Sequence, residues 1–300
     1  MKKRNVTGAL ALGAAAALTL AGCSAGTPAN DGGSADAGEN QEITLAVFNG
    51  WDEGIAASEL WKAVLEENGY DVELEYADPA AVYLGLTTDD YDVTLDTWLP
   101  ITHSDYMEQY GDDLVDLGAW NEEAALTIAV NADAPIDSLA ELADIADVFG
   151  NTIVGIEAGA GLTRITEEAV IPAYGLEGMD FTISSTPAML AELQAATDAG
   201  DNVVVTLWRP HWAYDAFPIK DLADPEGALG DAEGIHSIGG KSFEGNFPEV
   251  AEWLKSFKMS SELLYSLENV MFNEFDGDDY GPVVAEWIEE NRDYVDSLTS

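Results

Sequence analysis

Cysteine is almost absent: Cys23 is the only one in 300 residues, so no internal disulfide can form and no Cys/His cluster is on offer to a metal. Histidine is scarce as well, and His103, His211 and His236 are too scattered to suggest a zinc site. Basic residues number 11 against 57 acidic ones, a formal charge of −46, and such a field repels nucleic acid and anionic membrane surfaces. Enzyme signatures are missing too. The chain has no Gly-x-x-x-x-Gly-Lys phosphate loop, no Gly-x-Ser-x-Gly elbow and no His-Glu-x-x-His pair, so neither a cofactor nor a catalytic metal is expected. Acidic side chains are so common here that their proximity in sequence says nothing about acid/base catalysis, and a glycosidase stays conceivable without support.

The N-terminus carries the clearest signal. Lys2, Lys3 and Arg4 precede a small and apolar stretch from Gly8 to Leu20, the layout of a secretory signal, and that stretch is too short to span a bilayer. Leu20-Ala21-Gly22-Cys23 resembles the lipobox of bacterial lipoproteins, whose cysteine carries acyl chains. Residues 1–22 are therefore expected to be removed, leaving Cys23 lipidated and residues 24–41, small and polar without apolar period, as a flexible tether. Loss of the three leader cations takes the charge to −49. The acids are spread along the chain and 47% of residues are hydrophobic, which marks a globular rather than a disordered protein. Its acidity suits either a high-salt habitat, where screening weakens self-repulsion, or simply a soluble surface.

From Ile43 onward, short β-rich runs alternate with helical patterns. ITLAVF (43–48), DVELEY (71–76), YDVTL (91–95) and LTIAV (126–130) read as strands, with helices at 55–67, 79–87 and 104–110 between them. A second series follows, with strands at 152–156, 181–184 and 202–208 and helices near 138–146, 162–174 and 187–199. The stretch that includes Gly239-Gly240 reads as loop, and helices at 248–257, 260–273 and 279–297 complete the chain. Alternation of this kind predicts an α/β fold of two lobes: residues 42–130 with 221–300 as lobe I and 131–220 as lobe II, joined by crossings near Val130 and Lys220 with a cleft between. Two independent domains in series are the other arrangement compatible with the pattern.

Tryptophan placement bears most directly on function. Trp51 follows the first strand, Trp98 follows YDVTL and Trp208 ends NVVVTL, so all three are expected at the carboxyl ends of strands, the edge where open α/β sheets bind ligands. Trp61, Trp253 and Trp287 fall inside helical patterns and read as core, while Trp120 fits either role. Indole faces with no matching acid partner suit a cation whose charge is spread over methyl groups, attracted by the ring quadrupoles. The other end of a zwitterion needs donors, which His103 and the backbone N–H groups of Gly161 and Leu162 are placed to supply. The run Gly155-Ile156-Glu157-Ala158-Gly159-Ala160-Gly161 misses the dinucleotide spacing and is either an anion-binding helix start or a plain turn.

Four segments, in order, resemble the substrate-binding proteins of glycine betaine/proline betaine ABC importers, the OpuAC/ProX-like family. They are Gly50-Trp51-Asp52-Glu53-Gly54-Ile55-Ala56, Leu95 to His103, the glycine run, and Val204 to Trp212. The resemblance spans nearly all of residues 42–300. It implies a bilobal type II periplasmic-binding-protein fold without catalytic activity, with Trp51, Trp98 and Trp208 as walls of a trimethylammonium cage. It also implies that His103, aided by Gly161 and Leu162, holds the ligand carboxylate, and that His211 and Trp212 support the cleft. The expected partners are a small zwitterion such as glycine betaine or proline betaine, an ABC permease with its ATPase, and the membrane through the lipid anchor. The competing reading is an extracellular carbohydrate-binding protein or glycoside hydrolase that stacks sugars on its Trp faces.

Overall fold

The structure, a computed structural model, describes residues 42–300; the expected signal segment, Cys23 and the tether lie outside the described residues. The α/β alternation organises one sheet of nine strands. These are β1 (Glu42–Phe48), β2 (Asp71–Ala77), β3 (Val93–Leu99), β4 (Leu114–Asn131), β5 (Thr152–Val154), β6 (Asp180–Thr182), β7 (Val204–Arg209), β8 (Ile219–Asp221) and β9 (Glu233–Gly240). Their spatial order is β2-β1-β3-β9-β4-β7-β5-β6, with β8 added alongside β4. Parallel pairs β1–β2 and β1–β3 lie at one end and parallel pairs β5–β6 and β5–β7 at the other. Antiparallel β9 and β4 stand between them.

The 18-residue β4 joins the two groups. Its first part, from Leu114 to Ala124, pairs with β9, and its second part, from Ala125 to Val130, pairs with β7. The chain thus passes from one strand group to the other at Ala124/Ala125 and returns in the segment between β8 and β9. Register shifts between Asp116 and Ala124, with Gly118 at φ 103°, bend β4 ahead of this handover.

The sequence reading misses β9 and the first half of β4. Their glycines explain why. A Cβ at Gly239 would stand 2.8 Å from the Cβ of Phe243, and one at Gly240 would stand 2.6 Å from the Leu86 carbonyl oxygen, so this central strand needs the residues that ordinarily mark loops. Two expected helices are composite. Gly161–Ile165, Thr166–Val170 and Ile171–Tyr174 run on through a wider π turn, just ahead of Pro172, which has no N–H for a regular ladder. Ser261–Glu268 likewise continues into a π turn at Asn269–Asn273. Among the described residues no helix is long and apolar enough to cross a membrane.

The C-terminal helices Ser261–Glu268 and Gly281–Glu290 return to pack on Asp52–Glu67. Trp61 and Trp287 are core residues as expected, whereas Trp253 is only half-buried, its ring edge-on to Tyr70. Trp120 proves to be core: it lies on β4, 1% exposed, with its indole N–H donating to the Leu95 carbonyl at 2.6 Å. Its ring stacks on Phe257 at 5.2 Å, and Phe257 in turn meets Trp61 edge-on at 5.3 Å. Truncating so large a buried side chain removes its transfer energy and leaves a cavity. Trp120→Ala is expected to lower stability by about 3–5 kcal/mol, read as a fall in the urea midpoint with unchanged m-value; a loss below about 1 kcal/mol would show that the contact is replaceable.

Candidate functional site

The three strand-end tryptophans converge. Trp51 precedes the helix Asp52–Glu67 directly after β1, Trp98 closes β3 and Trp208 closes β7. They share one cavity of about 280 Å³, whose walls also include His103, Gly161 and Leu162. All six residues singled out in the sequence therefore meet at one place. The cavity draws walls from both strand groups.

Each indole is fixed by its N–H. Trp51 Nε1 donates to Glu157 at 3.4 Å, Trp98 Nε1 to Asp96 at 2.9 Å and Trp208 Nε1 to Glu53 at 2.8 Å. A buried indole needs an acceptor for this single donor, and a carboxyl at the ring edge supplies it without covering a ring face. Trp212 does the same toward Asp52 at 2.6 Å. The expectation of Trp faces without acid partners is thereby corrected: the acids are present, holding the edges of the rings. Glu53 also lines the cavity itself.

His103 is placed by its own turn. Its Nδ1 accepts the backbone N–H of Trp98 at 2.8 Å, and its ring lies parallel to Trp51 at 5.3 Å. Burial, reinforced by the nearby Arg164 charge, pushes its pKa down to about 3, so the ring is neutral and carries its proton on Nε2. That buried Nε2 has no partner among the described residues. His211 follows the same pattern beside Trp208: burial lowers its pKa to about 3, and Nδ1 accepts from the Ala213 N–H at 3.1 Å. The cavity therefore has an aromatic and acidic end and, at His103, a hydrogen-bond-donating end.

Two features that hold this second end escape sequence reasoning. Glu233, at the start of β9, accepts the backbone N–H of Ile101 at 2.5 Å and of Thr102 at 2.9 Å, and also the Thr102 hydroxyl. It anchors the turn that delivers His103, across 130 residues of chain that no local pattern links. Gly161 lies so close to this turn that a Cβ would meet the Thr102 carbonyl oxygen at 2.1 Å, which makes glycine obligatory at that helix start. Glu53 leaves only a faint trace in the sequence, as an acid in the first turn of a helix. Thr102, Leu126, Ile156 and Ala160 complete the walls without a signal of their own.

The family model described as the substrate binding domain of ABC-type glycine betaine transport systems matches residues 41–290. The glycine betaine/carnitine transport binding protein GbuC of Listeria monocytogenes is 35% identical over 158 residues, which is 52% of this chain and 51% of that one, so the match spans about half the length of that relative. The glycine betaine, L-proline-binding protein ProX of Borrelia burgdorferi superposes with a TM-score of 0.80 at 29% identity, covering 87% of this chain and 97% of that one. Lactococcal OpuAC, closed on glycine betaine, gives 0.79 at 27% identity, covering 87% and 100%. The fold is that of the bilobal type II periplasmic binding proteins, and the matched family is one of transport binding domains, not of enzymes.

Removing the Glu233 anchor leaves two backbone donors and a hydroxyl buried without an acceptor. Glu233→Ala is expected to cost about 2–3 kcal/mol of stability and to speed amide exchange at Ile101 and Thr102. Unchanged exchange at those two amides would show that the turn is held by other contacts.

Proposed function

Because the chain belongs to the family of substrate-binding domains of ABC-type glycine betaine transport systems, we propose that it is the extracytoplasmic, lipid-anchored receptor of an ABC importer, capturing glycine betaine or a close relative for osmoprotection. The observation that carries this reading is the convergence of Trp51, Trp98, Trp208, His103, Gly161 and Leu162 on one cavity. Three buried indoles are a poor lining for a hydrated ion but a good one for a trimethylammonium group, which donates no N–H bonds and is attracted to aromatic faces by about 2 kcal/mol or more per desolvated contact. A neutral His103 with a free Nε2–H, beside the first-turn N–H groups of Gly161 and Leu162, suits a carboxylate at the far end of the same small molecule. Capture makes and breaks no covalent bond of the ligand.

The lobes, approximately residues 42–130 with 221–300 and residues 131–220, close on the ligand. Trp208 and Glu53 belong to different strand groups, as do Trp51 and Glu157, so these hydrogen bonds form on closure. A ligand that touches both sides shifts the population toward the closed form, and the excluded water strengthens every electrostatic contact inside. The loaded receptor then meets its permease, held at the outer face of the membrane by acyl chains on Cys23.

Titration with glycine betaine, followed by tryptophan fluorescence and heat, tests the site. Binding in the micromolar range is expected, lost at least tenfold in Trp98→Ala; a response to a neutral sugar and none to any betaine, proline betaine or choline would move the site to carbohydrate stacking. Membrane attachment is tested separately. Cys23→Ser is expected to release the protein from the membrane fraction with an unprocessed leader, and attachment unaffected by that change would remove the lipid anchor from this account.

A further inference from the structure

Behind the indoles stands a set of carboxyls that attraction to aromatic faces does not require. Glu53 and Asp96 are each 2% exposed, Asp52 is 8% exposed and Glu268 is fully buried. Among the described residues the only ionic neighbour of these four is His211, whose Nε2 lies 3.7 Å from Asp52 Oδ2, and burial keeps that ring neutral. Glu53 and Asp96 form the inner pair. Gly54, the residue after Glu53, lies so close to Asp96 that a Cβ there would stand 2.4 Å from its Oδ2. The Trp98 indole N–H donates to Asp96 Oδ1 and lies near Glu53 as well. The remaining oxygen, Asp96 Oδ2, is buried with no partner.

Two carboxylates in one dry site cannot both ionise cheaply, and an acid oxygen that accepts no hydrogen bond has room to carry a proton. A quaternary ammonium group entering the cage brings a full positive charge to the wall that Glu53 forms, which favours the ionised state. Resting on the function proposed above, we infer that the Glu53–Asp96 pair holds a proton while the cavity is empty and releases it to solvent when the quaternary ammonium ligand enters, so that capture exchanges one cation for another. The carboxylic O–H bond breaks heterolytically, its electron pair stays on the carboxylate and the proton passes to water; nothing is oxidised or reduced.

The sign of the pH dependence follows. The free protein binds the proton and the complex does not, so affinity rises with pH while the pair of the free protein titrates and levels off once it is ionised. Burial, with the Asp52 charge adding to it, pushes Glu53 up to about 8. Burial and the Glu53 charge hold Asp96 well above its usual range, and burial with Glu53 and Asp52 does the same to Glu268. Asp52, pushed up to about 7 by burial, contributes from the same helix turn. The facing groups on other elements, His211 after β7 and His103 after β3, stay neutral throughout this range.

Calorimetric titration of the full chain with glycine betaine near pH 7, in phosphate and in Tris, counts the protons directly because the two buffers differ in ionisation heat. Release approaching one proton per ligand is expected, with Kd falling up to about tenfold per pH unit and levelling above about pH 8. In Glu53→Gln the amide oxygen can still accept from Trp208, and this variant, like Asp96→Asn, is expected to lose both the buffer difference and the pH dependence. Equal heats in both buffers with a flat Kd in the unaltered protein overturn the inference and leave the proposed function standing. No binding by fluorescence at any pH overturns both. Should either variant fail to fold, the buffer comparison on the unaltered protein decides alone.

Discussion

A buried indole has one hydrogen to place, and much of this site follows from where four indoles place theirs. Trp51, Trp98, Trp208 and Trp212 each donate to a carboxylate, on Glu157, Asp96, Glu53 and Asp52 respectively. Pinning a ring by its edge fixes its plane, which a purely apolar contact does not, and leaves the negative face of the ring toward the cavity. Three of the four bonds also cross between the strand groups; only Trp98–Asp96 lies within one. The interaction that orients the indoles is therefore also one that links the two strand groups.

The same acceptors create an electrostatic problem. Carboxylates removed from water need a partner, and one left buried without a cation raises its pKa instead of staying charged. Asp52 and Glu53 are pushed up to about 7 and about 8 by burial, although the indole N–H groups act in the opposite direction. Neutral donors cannot supply the missing charge; a bound cation can. A chain with 57 acids has no shortage of carboxylates, and what distinguishes these few is dryness and convergence rather than type.

How much of this was legible in the sequence depends on the range of the interaction. The strand-then-Trp punctuation at residues 43–51, 91–98 and 202–208 exposed the aromatic part of the site, because a hydrophobic run and the residue that ends it are neighbours in the chain. The helices Ser104–Tyr110 and Thr186–Ala199 were readable for the same reason. Strand β9 was not, since Gly239 and Gly240 are there to let Phe243 and Leu86 approach, a demand set by tertiary contact. Nor were the acid partners readable. Glu53 looks like any helix-start acid until Trp208, 155 residues away, is seen to donate to it, and Glu233 acquires its meaning only from the Ile101–Thr102 turn.

The two ends of the cavity solve opposite problems with opposite protonation. At the acidic end, burial keeps protons on groups that are ordinarily charged; at His103, burial removes the charge from a group that ordinarily titrates near neutrality, while the backbone of Trp98 takes Nδ1 and leaves Nε2–H as the donor. Burial at both places thus favours the uncharged form, which limits the charge stranded in a dry space. A zwitterion adds no net charge to such a site, and with the proton release proposed above its ammonium meets an ionised carboxyl while its carboxylate meets the neutral donor at His103. A bare cation or a bare anion satisfies only one end. On the function proposed, the lining therefore favours a ligand that carries both charges at a fixed separation, more by what it leaves unpaired with others than by any single strong contact.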